Sequence, residues 1–272
     1  MTSWIDIDGR SIQITKPEKI MWPDMGITKV DYLKTLIEIG PFLVPHSANK
    51  QLATVREGGR KEPNATNLNS RATLLFLANL DVLEFHAGLK KFGEIFLPSL
   101  VFELVPNEGQ SFEHVVEVAL TLHAELEVLH IKSFPKTSGM DSLQIFIPLE
   151  RKYTYEEGKR FHTYFAEYFA KKYPHLITLE QLLYWDDEHS WRDKKMICVY
   201  SPLAIKGAPV STPITWEELE KGIKPEDFNL LNITARLKEK GELFSALLTS
   251  EGEQNIDFLN EHVYSTWDSR FL

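Results

Sequence analysis

Residues able to do chemistry are thinly spread along this sequence. Its nine histidines include no pair at metal-ligand spacing beside a carboxylate, such as H-E-x-x-H. No G-K-S/T phosphate loop and no G-x-G-x-x-G fingerprint is present, which sets aside Walker-type NTPases and dinucleotide-binding dehydrogenases. The single cysteine, Cys198, excludes internal disulfides and multi-cysteine metal sites. It lies in the apolar run MICVYSPL and reads as a buried thiol rather than a nucleophile. A net charge of -9 repels nucleic acid and anionic membranes over the surface as a whole. Phosphate recognition therefore needs a local basic cluster. The segment KPEKIMWPDMGITK carries the candidate, with Lys16, Lys19 and Lys29, diluted by Glu18 and Asp24.

The scaffold behind these residues reads as a globular one. The chain has 272 residues, 43% hydrophobic and 25% charged, enough for a full-sized core without staples. No stretch approaches the roughly 20 apolar residues of a membrane span. MTSWIDIDGRSIQI lacks the basic-then-apolar order of a signal peptide. Together with the cysteine usage, this predicts a reducing, cytoplasmic setting and no membrane partner. Thr28 caps a helix bearing Tyr32, Leu33, Leu36 and Ile37 at helical spacing. A second helical stripe runs from Phe112 to Leu129. Thr154 and Glu157 form a capping box before an aromatic helix with Phe161, Tyr164, Phe165 and Phe169. PEDFNLLNITARLKEKG reads as a turn and a short helix stopped at Gly241. Strand signals fall at 99–106, 133–139, 143–149 and 196–203. Residues 48–70 read as the most loop-like stretch. Strands interspersed with helices predict an α/β or α+β fold, with the 112–130 helix joining two neighbouring strands as a crossover. One unit spanning 1–272, of one or two lobes, is expected.

Several segments, in order, resemble one family. They are KPEKIMWPDMGITKVDYL (16–33), LLFLANLDVLEFH (74–86), LVFELVPNEG (100–109), FPKTSGMDSLQIFIPLE (134–150), YSPLAIKGAPVSTPITWEEL (200–219) and GIKPEDFNLLNITARLKEKGE (222–242). Their order and joint spacing resemble the polymerase domain of bacterial DNA ligase D, of the archaeo-eukaryotic primase superfamily, which acts in non-homologous end joining. The resemblance implies a primase-type core of mixed sheets flanked by helices around a central cleft. It also implies nucleotidyl transfer by two divalent metals, Mg²⁺ or Mn²⁺.

Taken position by position, the resemblance implies an altered site. The family's Asp-x-Asp strand motif, whose alternate residues share a face and hold the metals, falls on Glu103 and Val105. Glu103 can still ligate, with its longer side chain displacing a metal by about an ångström. Val105 cannot ligate anything, because hard cations need oxygen ligands. The third carboxylate falls on Asp186 or Asp187. In the nucleotide pocket, His86 matches a triphosphate-binding histidine. Ser138 matches the hydroxyl of a phosphate-cradling Thr-Ser-Gly turn. Asp141 replaces that turn's lysine, Gln144 a histidine, and Leu203 and Ile205 two arginines. At the DNA-end site, Lys19 and Lys29 match the lysines that grip a 5′-phosphate, and Lys16 adds a third charge. REGGRKEPNATNLNS lacks the aromatics that stack on template bases.

Three readings follow. The first is a degenerate family member that binds DNA ends through the 5′-phosphate, alongside a DNA ligase and Ku, with nucleotidyl transfer lost or impaired. The second is an active primase-polymerase using Glu103 with Asp186 or Asp187. The third is a protein-interaction module without DNA binding.

Overall fold

The computed structural model describes residues 3–58, 60–64, 67–178, 182 and 195–260. It opens on a hairpin of β1 (Ser3–Ile7) and β2 (Arg10–Ile14), joined by Asp8 and Gly9, both at positive φ. A short pair, β3 (Ile20–Trp22) and β4 (Ile27–Thr28), leads into α1 (Lys29–Ser47). The Thr28 hydroxyl accepts the Asp31 N–H, and the Asp31 carboxylate accepts the Thr28 N–H in return. Helix α2 (Arg71–Asn79) follows, capped by Ser70.

Two sheets carry the candidate site. The four-stranded sheet runs β11 (Lys195–Ile197), β7 (Val82–Lys91), β5 (Lys50–Arg56), β6 (Arg60–Asn64), with every neighbouring pair antiparallel. The three-stranded sheet runs β8 (Ser99–Leu104), β10 (Leu143–Pro148), β9 (Phe134–Thr137). Every residue of β10 is buried, which explains why its run is apolar apart from Gln144. Helices α3 (Phe112–Val128) and α4 (Tyr155–Lys172) pack against this sheet. Two shorter helices follow, α5 (Trp216–Glu220) and α6 (Ile233–Lys240). Arg236 on α6 holds Glu218 on α5 with two bonds of 2.6 and 2.7 Å. Gly241, at φ 70°, ends α6 where the sequence predicts a stop. The buried apolar side chains form one cluster running from Ile7 to Leu259. Cys198 is buried, as its apolar surroundings predict.

Three expectations change. Residues 48–70 hold the β5–β6 hairpin rather than a loop. Leu52, Thr54 and Val55 bury themselves, and Pro63 is tolerated because β6 is an edge strand. The α3 crossover joins β8 and β9, which are not neighbours, because β10 inserts between them as in a split β-α-β unit. The predicted strand at 196–203 is short. Past Ile197, Cys198 still donates to the Phe85 carbonyl, but Tyr200 adopts φ 64° and the chain turns away.

Helix α4 also sets propensity against packing. A Cβ built on Gly158 would lie 2.2 Å from Leu97 Cδ2, and Leu97 is fully buried. Helix propensity alone would favour Gly158→Ala by about 1 kcal/mol. Overpacking a filled core costs about 1–3 kcal/mol, so the variant is expected to unfold at lower urea. A raised midpoint would show that Leu97 has room to move.

Candidate functional site

The strand register puts the metal-motif residue into a row. Gln144 on β10 stands opposite Glu103 on β8 and opposite Lys136 on β9. Carboxylate, amide and ammonium thus follow one another across a single sheet face. Gln144 Nε2 donates to Glu103 Oε1 at 2.8 Å. Lys136 is fully buried and donates to the Ser211 hydroxyl and, at 3.4 Å, to the Ile197 carbonyl of the other sheet. Burial lowers the Lys136 pKa to about 7, and the Glu103 charge partly offsets that fall. Val105, two residues past Glu103, brings no oxygen to the row.

Among the described residues the donor set does not fit a two-metal centre. Hard cations need several carboxylate or carbonyl oxygens. Glu103 gives one oxygen to the Gln144 amide, and the end of the row holds a competing ammonium. Among the described residues, no group of three or more His, Cys, Asp or Glu could hold a metal ion. Asp186 and Asp187 lie outside the described residues.

The nucleotide-side residues are committed to internal partners. His86 Nε2 lies 2.8 Å from Glu84 Oε2, two residues back on β7. Glu84 Oε1 in turn accepts the Ala204 N–H at 2.8 Å. The Ser138 hydroxyl accepts the Met140 N–H, and the Ser138 N–H bonds the Ser142 carbonyl, so the turn is closed on itself. Leu203 fills the space over this turn. A Cβ added to Gly139 would lie 2.4 Å from Leu203 Cδ1, and the Leu203 carbonyl accepts Trp22 Nε1–H at 3.0 Å. The adjoining cleft, about 290 Å³, is lined by Lys206 but also by Asp141 and Glu226. That balance is poor for a polyanion.

Two of the three N-terminal lysines converge. Lys19 Nζ lies 2.6 Å from Asp81 Oδ2, and Lys29 Nζ lies 2.6 Å from Asp81 Oδ1. Lys19 also meets Glu57 at 2.5 Å. Lys29, 1% exposed, donates to the Asn79 carbonyl at 2.9 Å. Burial pushes the Asp81 carboxyl up, but hydrogen bonds from both lysines outweigh it and hold the group below its usual value. The Lys19 ammonium is raised, through Asp81 first and Glu57 second. Lys16 does not join them. Its side chain is exposed, and its carbonyl closes the turn to the Lys19 N–H. Asp24 does not dilute the cluster either, because it accepts the Gly207 N–H at 2.6 Å.

Sequence reasoning missed Asp81, Glu84 and Lys136. Asp81 sits at φ 66° in the turn between α2 and β7. An aspartate beside a helix end that must enter a strand is a left-handed-turn signal, though nothing local announces its partners.

The architecture is that of a DNA polymerase domain. It superposes on the polymerase domain of Mycobacterium tuberculosis ligase D, solved in complex with DNA, with a TM-score of 0.77 at 19% identity, covering 88% of this chain and 98% of that one. Residues 43–244 match the LigD primase-polymerase domain, and the chain belongs to that family. The bifunctional non-homologous end joining protein LigD of Bacillus subtilis is 28% identical over 262 residues, covering 85% of this chain and 43% of that protein. The multifunctional LigD of Mycolicibacterium smegmatis is 24% identical over 278 residues, covering 87% and 36%. The chain thus spans less than half the length of these relatives. The family is one of metal-dependent nucleotidyltransferases linked to non-homologous end joining. No helix among the described residues is long and apolar enough to cross a membrane.

Proposed function

We propose that this chain serves DNA break repair as a non-polymerising member of its family, holding DNA ends through a 5′-phosphate. The observation that carries the loss of nucleotidyl transfer is the Glu103–Gln144–Lys136 row. An amide and an ammonium stand beside the one acid, and Val105 takes the place of the second. The closed Ser138 turn under Leu203 supports the same reading at the triphosphate side.

End binding rests on the convergence of Lys19 and Lys29. Both ammonium groups reach one carboxylate at 2.6 Å, so their spacing suits a single shared anion. Asp81 fills that role internally, and a phosphate has to displace it. On this reading the protein works in the cytoplasm beside a separate DNA ligase and a Ku-type end-binding protein.

The test is nucleotide addition on gapped DNA carrying a 5′-phosphate, with Mg²⁺ or Mn²⁺, for the wild type and Glu103→Ala. No addition by either is expected. Addition abolished by Glu103→Ala would establish a working metal site at Glu103 and would overturn the reading in favour of an active primase-polymerase. DNA binding should weaken steeply with salt. A salt-insensitive protein complex without DNA affinity would instead mark an interaction module.

A further inference from the structure

A second set of cations gathers away from the N-terminal lysines. Lys50 opens β5 and Lys91 closes β7, and the two stand directly opposite in the antiparallel register. Like charges so placed repel, and sequences usually set a carboxylate between them. The nearest candidate, Glu94, is already engaged. Its Oε2 accepts the Lys91 backbone N–H at 3.1 Å, and its Oε1 lies 3.5 Å from Arg151 Nη1. Arg151 also meets Glu253 at 3.1 Å. Neither the Lys50 nor the Lys91 ammonium has an ion-pair partner among the described residues.

These groups line one cavity of about 90 Å³, which also receives His46 and Ser99. That volume holds a small oxyanion with a few waters and is too small for a nucleoside. The His46 imidazole is buried, and its Nε2 faces Glu242 Oε1 at 3.5 Å. Burial lowers the pKa of both His46 and Lys50. Glu94 also lines the cavity and attracts Lys50, so one carboxylate faces two ammonium groups and a guanidinium. Two facing cations, a guanidinium at the rim and the Ser99 hydroxyl match a doubly charged, tetrahedral acceptor.

We propose that the cavity between Lys50, Lys91 and Arg151 binds a phosphate group. The site shares no residue with the Lys19–Lys29 cluster. Its phosphate comes from one of two sources, the free ion or the end of a phosphorylated nucleic acid.

The experiment titrates inorganic phosphate into the full chain by calorimetry and thermal unfolding, with sodium chloride holding ionic strength constant. Saturable binding and a rise in Tm are expected for the wild type. Lys50→Met and Lys91→Met should each weaken binding at least tenfold, while Lys19→Met should leave it unchanged. Both test variants remove a like-charge contact. Their own Tm without phosphate should hold or rise, which checks folding. Absence of a phosphate-specific effect in the wild type would overturn the proposal. So would binding that survives both methionine variants, or binding lost only in Lys19→Met. Competition by a 5′-phosphorylated oligonucleotide, measured on Lys19→Met, and not by its unphosphorylated twin would assign the source to nucleic acid. Competition by neither would assign it to the free ion.

Discussion

Asp81→Asn should tighten binding to a 5′-phosphorylated DNA end ten- to a hundredfold. In the wild type, the carboxylate sits 2.6 Å from both Lys19 and Lys29, where an incoming phosphate would need them. A unit charge about 4 Å away is worth about 4 kcal/mol at the effective dielectric of a protein surface. Asp81 is 31% exposed at its side chain, so screening removes a good part of that. What remains, about 1.4–2.8 kcal/mol, is the stated range. Asparagine keeps one acceptor oxygen, enough for Lys29, and removes the charge together with the oxygen that Lys19 uses.

The same substitution should lower stability by about 1–3 kcal/mol, because the buried Lys29 loses its counter-charge. Phosphorylated DNA should then recover that loss by mass action. Fluorescence anisotropy on paired oligonucleotides, with and without the 5′-phosphate, reads the first effect. Thermal unfolding with and without the ligand reads the second. Equal or weaker affinity for the phosphorylated end in Asp81→Asn would mean that Asp81 organises the lysines rather than occupying their site.

Lys136→Met should flatten the pH dependence of stability above neutrality. The folded-state pKa of Lys136 is about 7, set by burial, against 10.5 for the ordinary side chain. Between those values the unfolded chain keeps the proton and the folded chain does not. Unfolding therefore takes up a proton, and stability rises with pH across that window by up to about 1.4 kcal/mol per unit. Below pH 7 both states are charged, and the folded one carries the full cost of a buried ammonium. Burial shifts Lys50 in the same direction, so the difference between wild type and variant isolates Lys136. Methionine fills nearly the same volume and leaves the Ser211 hydroxyl its bond to the Thr137 carbonyl. At pH 6 the variant should be more stable by about 1–4 kcal/mol, as when a buried charge is replaced by a packed apolar group. Urea midpoints from pH 6 to pH 10 check this. Parallel curves for the two proteins would place the proton elsewhere.

Much of the helical scaffold was legible because its signals are local. Thr28 with Asp31, Thr154 with Glu157, and Gly241 act within a few residues of themselves. The pairing of Lys19 with Lys29 was legible through the family resemblance. Asp81 was not, because it lies 62 residues from Lys19 and earns its meaning only when α2 delivers it there. Lys136 was hidden for a different reason. A lysine beside Thr-Ser-Gly reads as a surface residue, since lysines are almost never fully buried. It is enclosed by the 211–214 segment bridged to β9 and by the Ile197 carbonyl, both distant in sequence. The split crossover was invisible because strand order depends on β10, which the chain makes after both strands it separates.

The packing of Leu203 over Gly139 bears on how this lineage can change. The resemblance puts an arginine at position 203, whereas the leucine here is 4% exposed and presses on the turn below it. Returning a guanidinium to that spot would bury an unpaired charge, at a cost of several kcal/mol. Gly139 could not yield, since its φ of 88° and the crowding above it exclude a side chain. An arginine at 203 therefore needs room made on a second element as well. The two positions are thus coupled: Leu203 and Gly139 fill one space between them, and neither can gain a bulkier side chain while the other element stays in place.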